Sequence, residues 1–281
     1  MRSLTLDDGM TLTYRERGSG APVLLLHGWP TSSYLWRDVM PAIARNNSVI
    51  ALDLPGFGGS AKPTDIRYDF DLFDRVLNGV VDKLEMDPVG IAVHDLGGPI
   101  ALHWMINNPG RVSRLALLNT LLYPDFRPDL IEFVRTLANP DAREKLTGPE
   151  GLADIMRLGL ADQSRLTDEV LAAVRGPFAD PDARLALALA GIGLNPDGFA
   201  EIADWLPTIE APVRIVYGEQ DRVLTDIATT VERAAKDIPH AEVTALPQCG
   251  HFLQEDDPEQ VGELLAEFFA REARRVADSS R

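Results

Sequence analysis

Apolar positions in the first 120 residues follow two rhythms. Leu12–Glu16 alternates with period two, as a half-buried strand does, and Val23–Leu26 is a continuous apolar run, as in a strand covered on both faces. Val49–Leu52, Val89–Val93 and Leu115–Leu118 repeat the second rhythm. Between them, Ser33–Ala44 and Phe70–Met86 carry helical spacing; Leu72, Val76, Val80 and Leu84 recur every four residues. Leu102, Trp104, Met105 and Ile106 mark a third helical stretch. Such alternation predicts a mostly parallel sheet with helices on both faces.

The rhythm breaks after Asn119. From Leu121 to about Trp205 the chain reads as helix, interrupted by Pro124, Pro128, Pro140, Pro149, Pro177, Pro181 and Pro196, with no convincing strand. Alternation resumes with strands at Val213–Tyr217 and Glu242–Leu246 and helices at Ile227–Lys236 and Val261–Phe269. The expected organisation is one α/β core domain from residues 1–120 and 206–281, interrupted by a helical cap, 121–205. The charged tail after Arg271 is expected to fray.

Composition narrows the partners. Among 281 residues, 27 Lys and Arg oppose 43 Asp and Glu, a formal charge of −16 that repels nucleic acid and anionic membranes. A single cysteine, Cys249, excludes an internal disulfide. The N-terminal stretch has two acids and no apolar core, so it is not expected to act as a secretory signal. The longest apolar run, Leu185–Leu194, is far short of the roughly 20 residues a membrane helix needs. A soluble, cytoplasmic protein is the expectation, and oligomeric state is left open.

Ligands of open α/β sheets sit beyond strand ends, so the residues there carry the candidate chemistry. Val89–Val93 runs into His94-Asp95-Leu96-Gly97-Gly98 and then a helix. That is the layout of a nucleophile elbow, with Asp95 where a serine would stand and small residues where the turn crowds backbones together. Val213–Tyr217 leads to Asp221, and Glu242–Leu246 leads to His251. The order Asp95, Asp221, His251 matches the nucleophile–acid–histidine order of elbow enzymes, and three groups at matching strand ends are far more specific than any one alone.

These residues carry a resemblance. His27-Gly28-Trp29-Pro30 with the stretch to Arg37, Asp53 through Ser60, His94 through Gly98, and Gly250 through Asp256 resemble the α/β-hydrolase superfamily, within it the haloalkane dehalogenase and epoxide hydrolase branch. The resemblance implies an eight-stranded, mostly parallel sheet with a helical cap. It also implies hydrolysis without metal or organic cofactor, acting on a small, neutral, hydrophobic substrate. Asp95 would attack an sp³ carbon and form an alkyl ester. His251, oriented by Asp221, would then activate the water that cleaves it. The oxyanion donors implied are the backbone N–H groups of Trp29 and Leu96.

Leaving-group contacts separate the two branches. Haloalkane dehalogenases usually carry Trp after the nucleophile, where this chain has Leu96. Trp29 in the HGWP loop suits epoxide hydrolases, but these usually have two cap tyrosines and here the cap has Tyr123 alone. Trp29 and Tyr123 are therefore the expected leaving-group contacts, for dehalogenase action first and epoxide opening as the alternative. After the sixth strand, where some dehalogenases keep their acid, Asn119 offers only an amide.

Plainer readings stand beside these. Asp95 could be a turn residue, or the fold a retired hydrolase that only binds ligand. Asp53 and Gly56–Ser60 read as a structural turn, since no Lys-Ser or Lys-Thr follows. His27 and His94 are expected to support loops, His103 and His240 to be structural or solvated, and Cys249 to be inert. Phe126, Ile131, Phe133, Val134, Phe178, Leu187 and Leu189 are expected mostly to pack between cap and sheet.

Overall fold

A computed structural model describes residues 1–271; the tail expected to fray lies outside the described residues. The strands are β1 (Arg2–Thr5), β2 (Thr11–Gly18), β3 (Ala21–Leu26), β4 (Asn47–Leu52), β5 (Val89–Asp95), β6 (Val112–Thr120), β7 (Val213–Gly218) and β8 (Glu242–Leu246). They form one eight-stranded sheet in the order β1-β2-β4-β3-β5-β6-β7-β8. β2 is antiparallel to both neighbours, and every pairing from β4 through β8 is parallel. The strand with no signature in the pattern is β1, an edge strand with only Leu4 half-buried.

Helices α1 (Met40–Ile43), α2 (Phe70–Lys83) and α3 (Gly97–Asn107) alternate with the early strands. The single helix expected over Ser33–Ala44 is two pieces, a 3₁₀ turn at Ser33–Trp36 and then α1. Pro41 is the reason: it has no N–H to close a helical turn, and its ring would strike the preceding one, so it is tolerated only where a helix begins. α2 starts on the side chain of Asp69, which accepts the Leu72 N–H at 3.0 Å. It stops three residues earlier than expected because Glu85 turns left-handed, with φ 53°. Leu72, Val76 and Val80 are buried as their spacing demands.

Between β6 and β7 lie α4 (Pro128–Ala138), α5 (Pro140–Thr147), α6 (Pro149–Gly159), α7 (Asp168–Arg175), α8 (Pro181–Ile192) and α9 (Pro196–Trp205). Five of the prolines that interrupt the pattern are the first residues of helices, where the missing N–H costs nothing. Asn139, Asp180 and Asn195 supply the caps just before them. Ile131 and Val134 depart from the expected packing. α4 turns Leu137 inward and leaves these two 40% and 37% exposed. The chain closes with α10 (Ile227–Asp237), α11 (Leu253–Asp256) and α12 (Pro258–Ala270).

Candidate active site

β5 is buried along its whole length and ends at Asp95, whose φ of 50° lies in the left-handed region that non-glycine residues rarely adopt. The strain is held by close packing. A Cβ on Gly98 would collide with Thr120 Oγ1, and that hydroxyl donates to the Asp95 carbonyl at 2.6 Å. A Cβ on Gly97 would stand 2.8 Å from the backbone oxygens of Leu26 and His27. The expectation that small residues are needed at 97 and 98 therefore has a direct physical cause.

The Asp95 side chain meets different surroundings on its two oxygens. Oδ1 accepts the Trp29 backbone N–H at 2.8 Å, and the Leu96 N–H also favours its charged form. Oδ2 faces His251 Nε2 at 3.6 Å, and that nitrogen is buried with no hydrogen-bond partner in the protein. Burial pushes the Asp95 carboxyl above its ordinary pKa, against the opposing pull of His251 and the two N–H groups.

Behind the imidazole, Nδ1 lies 2.8 Å from Asp221 Oδ2. An ionised carboxylate only accepts, so Nδ1 carries a proton, and in the neutral ring Nε2 presents its lone pair toward Asp95. Burial would raise the Asp221 pKa, but the charge and hydrogen bond of His251, with the Asn119 amide and the Leu224 N–H, outweigh it and hold it low. For His251 burial alone would lower the pKa; Asp221, aided by Asp95, reverses this and raises it. Asp221 Oδ1 also accepts the N–H groups of Val223 and Leu224 at 2.7 and 2.8 Å, so its loop is wrapped around the carboxylate.

Sequence reasoning passed over Asn119. Its Nδ2 donates to Asp221 Oδ2 at 2.7 Å and its Oδ1 accepts the Gly218 N–H at 2.9 Å, from a backbone with φ 32°. One side chain thus braces the ends of β6 and β7. The signal available was its place directly after the apolar run Leu115–Leu118; the absence of a carboxylate there hid it.

Trp29 and Tyr123, the expected leaving-group contacts, place their polar hydrogens as follows. The Trp29 indole N–H donates to the Leu187 carbonyl of α8 at 3.2 Å, and its ring packs edge-on against Phe133 at 4.8 Å. Tyr123 donates its hydroxyl to Asp237 at 2.7 Å, beneath the Arg233 guanidinium. Both polar hydrogens are thus spent on acceptors other than Asp95.

The supporting histidines behave as read. His27 Nε2 accepts the Leu54 N–H at 3.1 Å, and His94 Nε2 lies 2.9 Å from the His251 carbonyl. Burial lowers the pKa of both. Asp53 accepts from Ser33, Thr13 and Gly59 and is a structural turn, while burial pushes the Cys249 thiol up to about 12. Among the described residues no group of His, Cys, Asp or Glu is arranged to hold a metal ion. No described helix is long and apolar enough to cross a membrane.

A mostly parallel sheet with these three side chains at its strand ends is the arrangement of an α/β hydrolase. The model of the alpha/beta hydrolase family matches residues 23–264, and the chain belongs to that family. A haloalkane dehalogenase from Agrobacterium fabrum is 30% identical over 94% of this chain and 90% of its own. A soluble epoxide hydrolase from a Corynebacterium species is 30% identical over 94% and 95%. The crystal structure of a haloalkane dehalogenase from Agrobacterium tumefaciens aligns with a TM-score of 0.83 at 27% identity, over 96% of each chain. More particularly, then, this chain is a dehalogenase-like hydrolase, and the reading as a retired binding fold is set aside.

Proposed function

We propose that the protein hydrolyses small, neutral haloalkanes through a covalent ester on Asp95, giving alcohol and halide. One observation carries the reading: Asp95 has one oxygen held by the Trp29 backbone N–H and the other turned toward an unpartnered, buried imidazole nitrogen. Oδ2 attacks the halogen-bearing carbon, a C–O bond forms, and halide leaves with the bonding pair. Oδ1 becomes the ester carbonyl, already accepting the Trp29 N–H at 2.8 Å, with the Leu96 N–H beside the carboxylate. Water then adds to Cγ while His251 Nε2 takes its proton, and Asp221 steadies the imidazolium. The oxyanion is held by the same two N–H groups, a donor of this kind being worth about 3–4 kcal/mol. Collapse breaks the Cγ–O bond to the alkyl group, whose oxygen takes the imidazolium proton and leaves as alcohol, and loss of the remaining hydroxyl proton to solvent restores the carboxylate.

Residues 121–205 serve in this reading as a cap. Supporting it, α8 and α4 close over Trp29 through Leu187 and Phe133, and Gly159 meets the His251 loop. Asp95 and His251 are buried, and surroundings poor in water favour neutral substrates and strengthen electrostatics inside.

Epoxide opening is the competing reading, supported by the Corynebacterium relative and the HGWP loop. The leaving groups decide between them. An alkoxide must be protonated as it forms, and the Tyr123 hydroxyl is directed to Asp237. A halide departs as a stable anion without a proton.

The test is His251→Gln with 1-bromobutane. Bromide should appear in a single stoichiometric burst, and mass spectrometry should find a butyl group on the Asp95 peptide. Its absence overturns the reading. Diol formed from aryl epoxides by the parent protein, without bromide release from bromoalkanes, would favour the competitor.

A further inference from the structure

A second buried carboxylate governs the loop that carries His251, and the ester chemistry does not use it. Asp256, in α11, reaches back six residues, where its Oδ2 accepts the Gly250 N–H at 2.8 Å. The same carboxylate receives two N–H groups from the helical insert, Ala161 on Oδ2 at 3.1 Å and Asp162 on Oδ1 at 2.9 Å. Bonds also run the opposite way. The Gly159 carbonyl accepts the His251 N–H at 2.7 Å and the Phe252 N–H at 3.3 Å. Arg222, beside Asp221, donates to the Leu160 carbonyl. The backbones touch directly, since a Cβ on Gly250 would collide with the Gly159 carbonyl and one on Gly159 with the Phe252 ring.

We propose that Asp256 is a positioning residue for His251. Its carboxylate fastens the histidine loop to residues 159–162 of the insert, and that fastening aims Nε2 at the Asp95 carboxylate. Hydrogen bonds from backbone N–H to a charged oxygen are about twice as strong as neutral ones, and three of them here converge from two chain segments. A loop without regular structure would otherwise let the imidazole swing off its bond to Asp221, leaving its two nitrogens to share the proton. The inference rests on the ester reading, in which His251 serves the second step and not the first. Asp256 should therefore matter for ester hydrolysis and not for ester formation.

Asp256→Asn is the discriminating variant, because its amide N–H₂ must face one of three N–H donors while the volume is kept. Ester formation in single turnover with 1-bromobutane should stay within about twofold of the parent. Ester hydrolysis should slow by about tenfold or more, so the butyl-enzyme accumulates in steady state on mass spectrometry. In ¹⁵N-imidazole NMR the parent His251 should show one Nδ1–H tautomer, and the variant a mixture. Asp256→Glu, which keeps the charge on a longer arm, should recover part of both readouts and serves as the test if the Asn variant melts. A folded variant with parental hydrolysis rate and tautomer, or one slowed equally in both steps, overturns the proposal. If the parent itself forms no ester, the ester reading fails, and the tautomer comparison still decides the role of Asp256.

Discussion

His251 is buried yet held above its ordinary pKa, because the adjacent Asp221 outweighs the loss of solvent. A general base works only when neutral, so ester hydrolysis should fall on the acid side with an apparent pKa above the ordinary imidazole value of about 6.5. Single-turnover rates against pH check this. The same shifts act on stability. His251, raised in the fold, contributes stability that is full below its unfolded pKa and is lost as pH rises through the folded value. Asp221, lowered in the fold, contributes above its unfolded pKa and loses its share as pH falls through the folded value. Their joint contribution should be greatest between about pH 4 and 6.5, and Asp221→Asn should flatten that part of a melting-temperature profile. Leaving-group handling is also decided by single residues. The Trp29 indole N–H is given to Leu187 and Leu96 has no side-chain donor, so neither of these two positions offers departing halide a free side-chain N–H. Reactivity should then rise steeply from chloro- to bromo- to iodobutane in halide-release assays. Tyr123→Phe should leave halide release within about twofold while costing about 1 kcal/mol of stability in denaturant titration, the usual worth of one hydrogen bond.

Strand ends carry the chemistry, and how they are braced separates what the pattern reveals from what it conceals. The parallel strands announce themselves as apolar runs because both faces are covered, and the elbow announces itself because Asp95-Leu96-Gly97-Gly98 follows such a run. β1 does not, since an edge strand with one half-buried side chain leaves almost no period to detect. The split of the helix after β3 was legible in Pro41, had its position within the apolar period been weighed. The contacts of cross-braces such as Asn119 and Asp256 were not legible. Most of their partners are backbone N–H groups or side chains about a hundred residues away, and no local spacing encodes such a meeting. Asn119 nevertheless joins the ends of β6 and β7 through one amide. Asn119→Ala should release Asp221 from one donor and lower the rate of ester hydrolysis about ten- to a hundredfold, since a hydrogen bond to a charged group is worth about 1.5–3 kcal/mol. Pre-steady-state kinetics measure it, with ester formation as the internal control.

Charge is a property of the whole molecule, and here it points the same way as the burial of Asp95. The sequence carries a formal charge of −16, and at the strand ends Asp95 and Asp221 add two carboxylates within one buried cluster. A field of that sign lowers the local concentration of anions over a Debye length of about 10 Å at 0.1 M salt. An anionic substrate would also have to leave water to reach a carboxylate nucleophile whose own pKa burial has already raised. The molecule should therefore discriminate between two substrates of equal reach, 1-bromobutane and 4-bromobutyrate, by well over a hundredfold in kcat/KM for bromide release. Raising the salt separates the two causes. The long-range share of the discrimination should shrink between 0.01 and 1 M salt, as the Debye length falls from about 30 to 3 Å. The share due to desolvation at Asp95 should persist. Equal rates for both substrates at low salt would mean that the cleft is open to water at the nucleophile, and that the closure of α4 and α8 over Trp29 does not govern access.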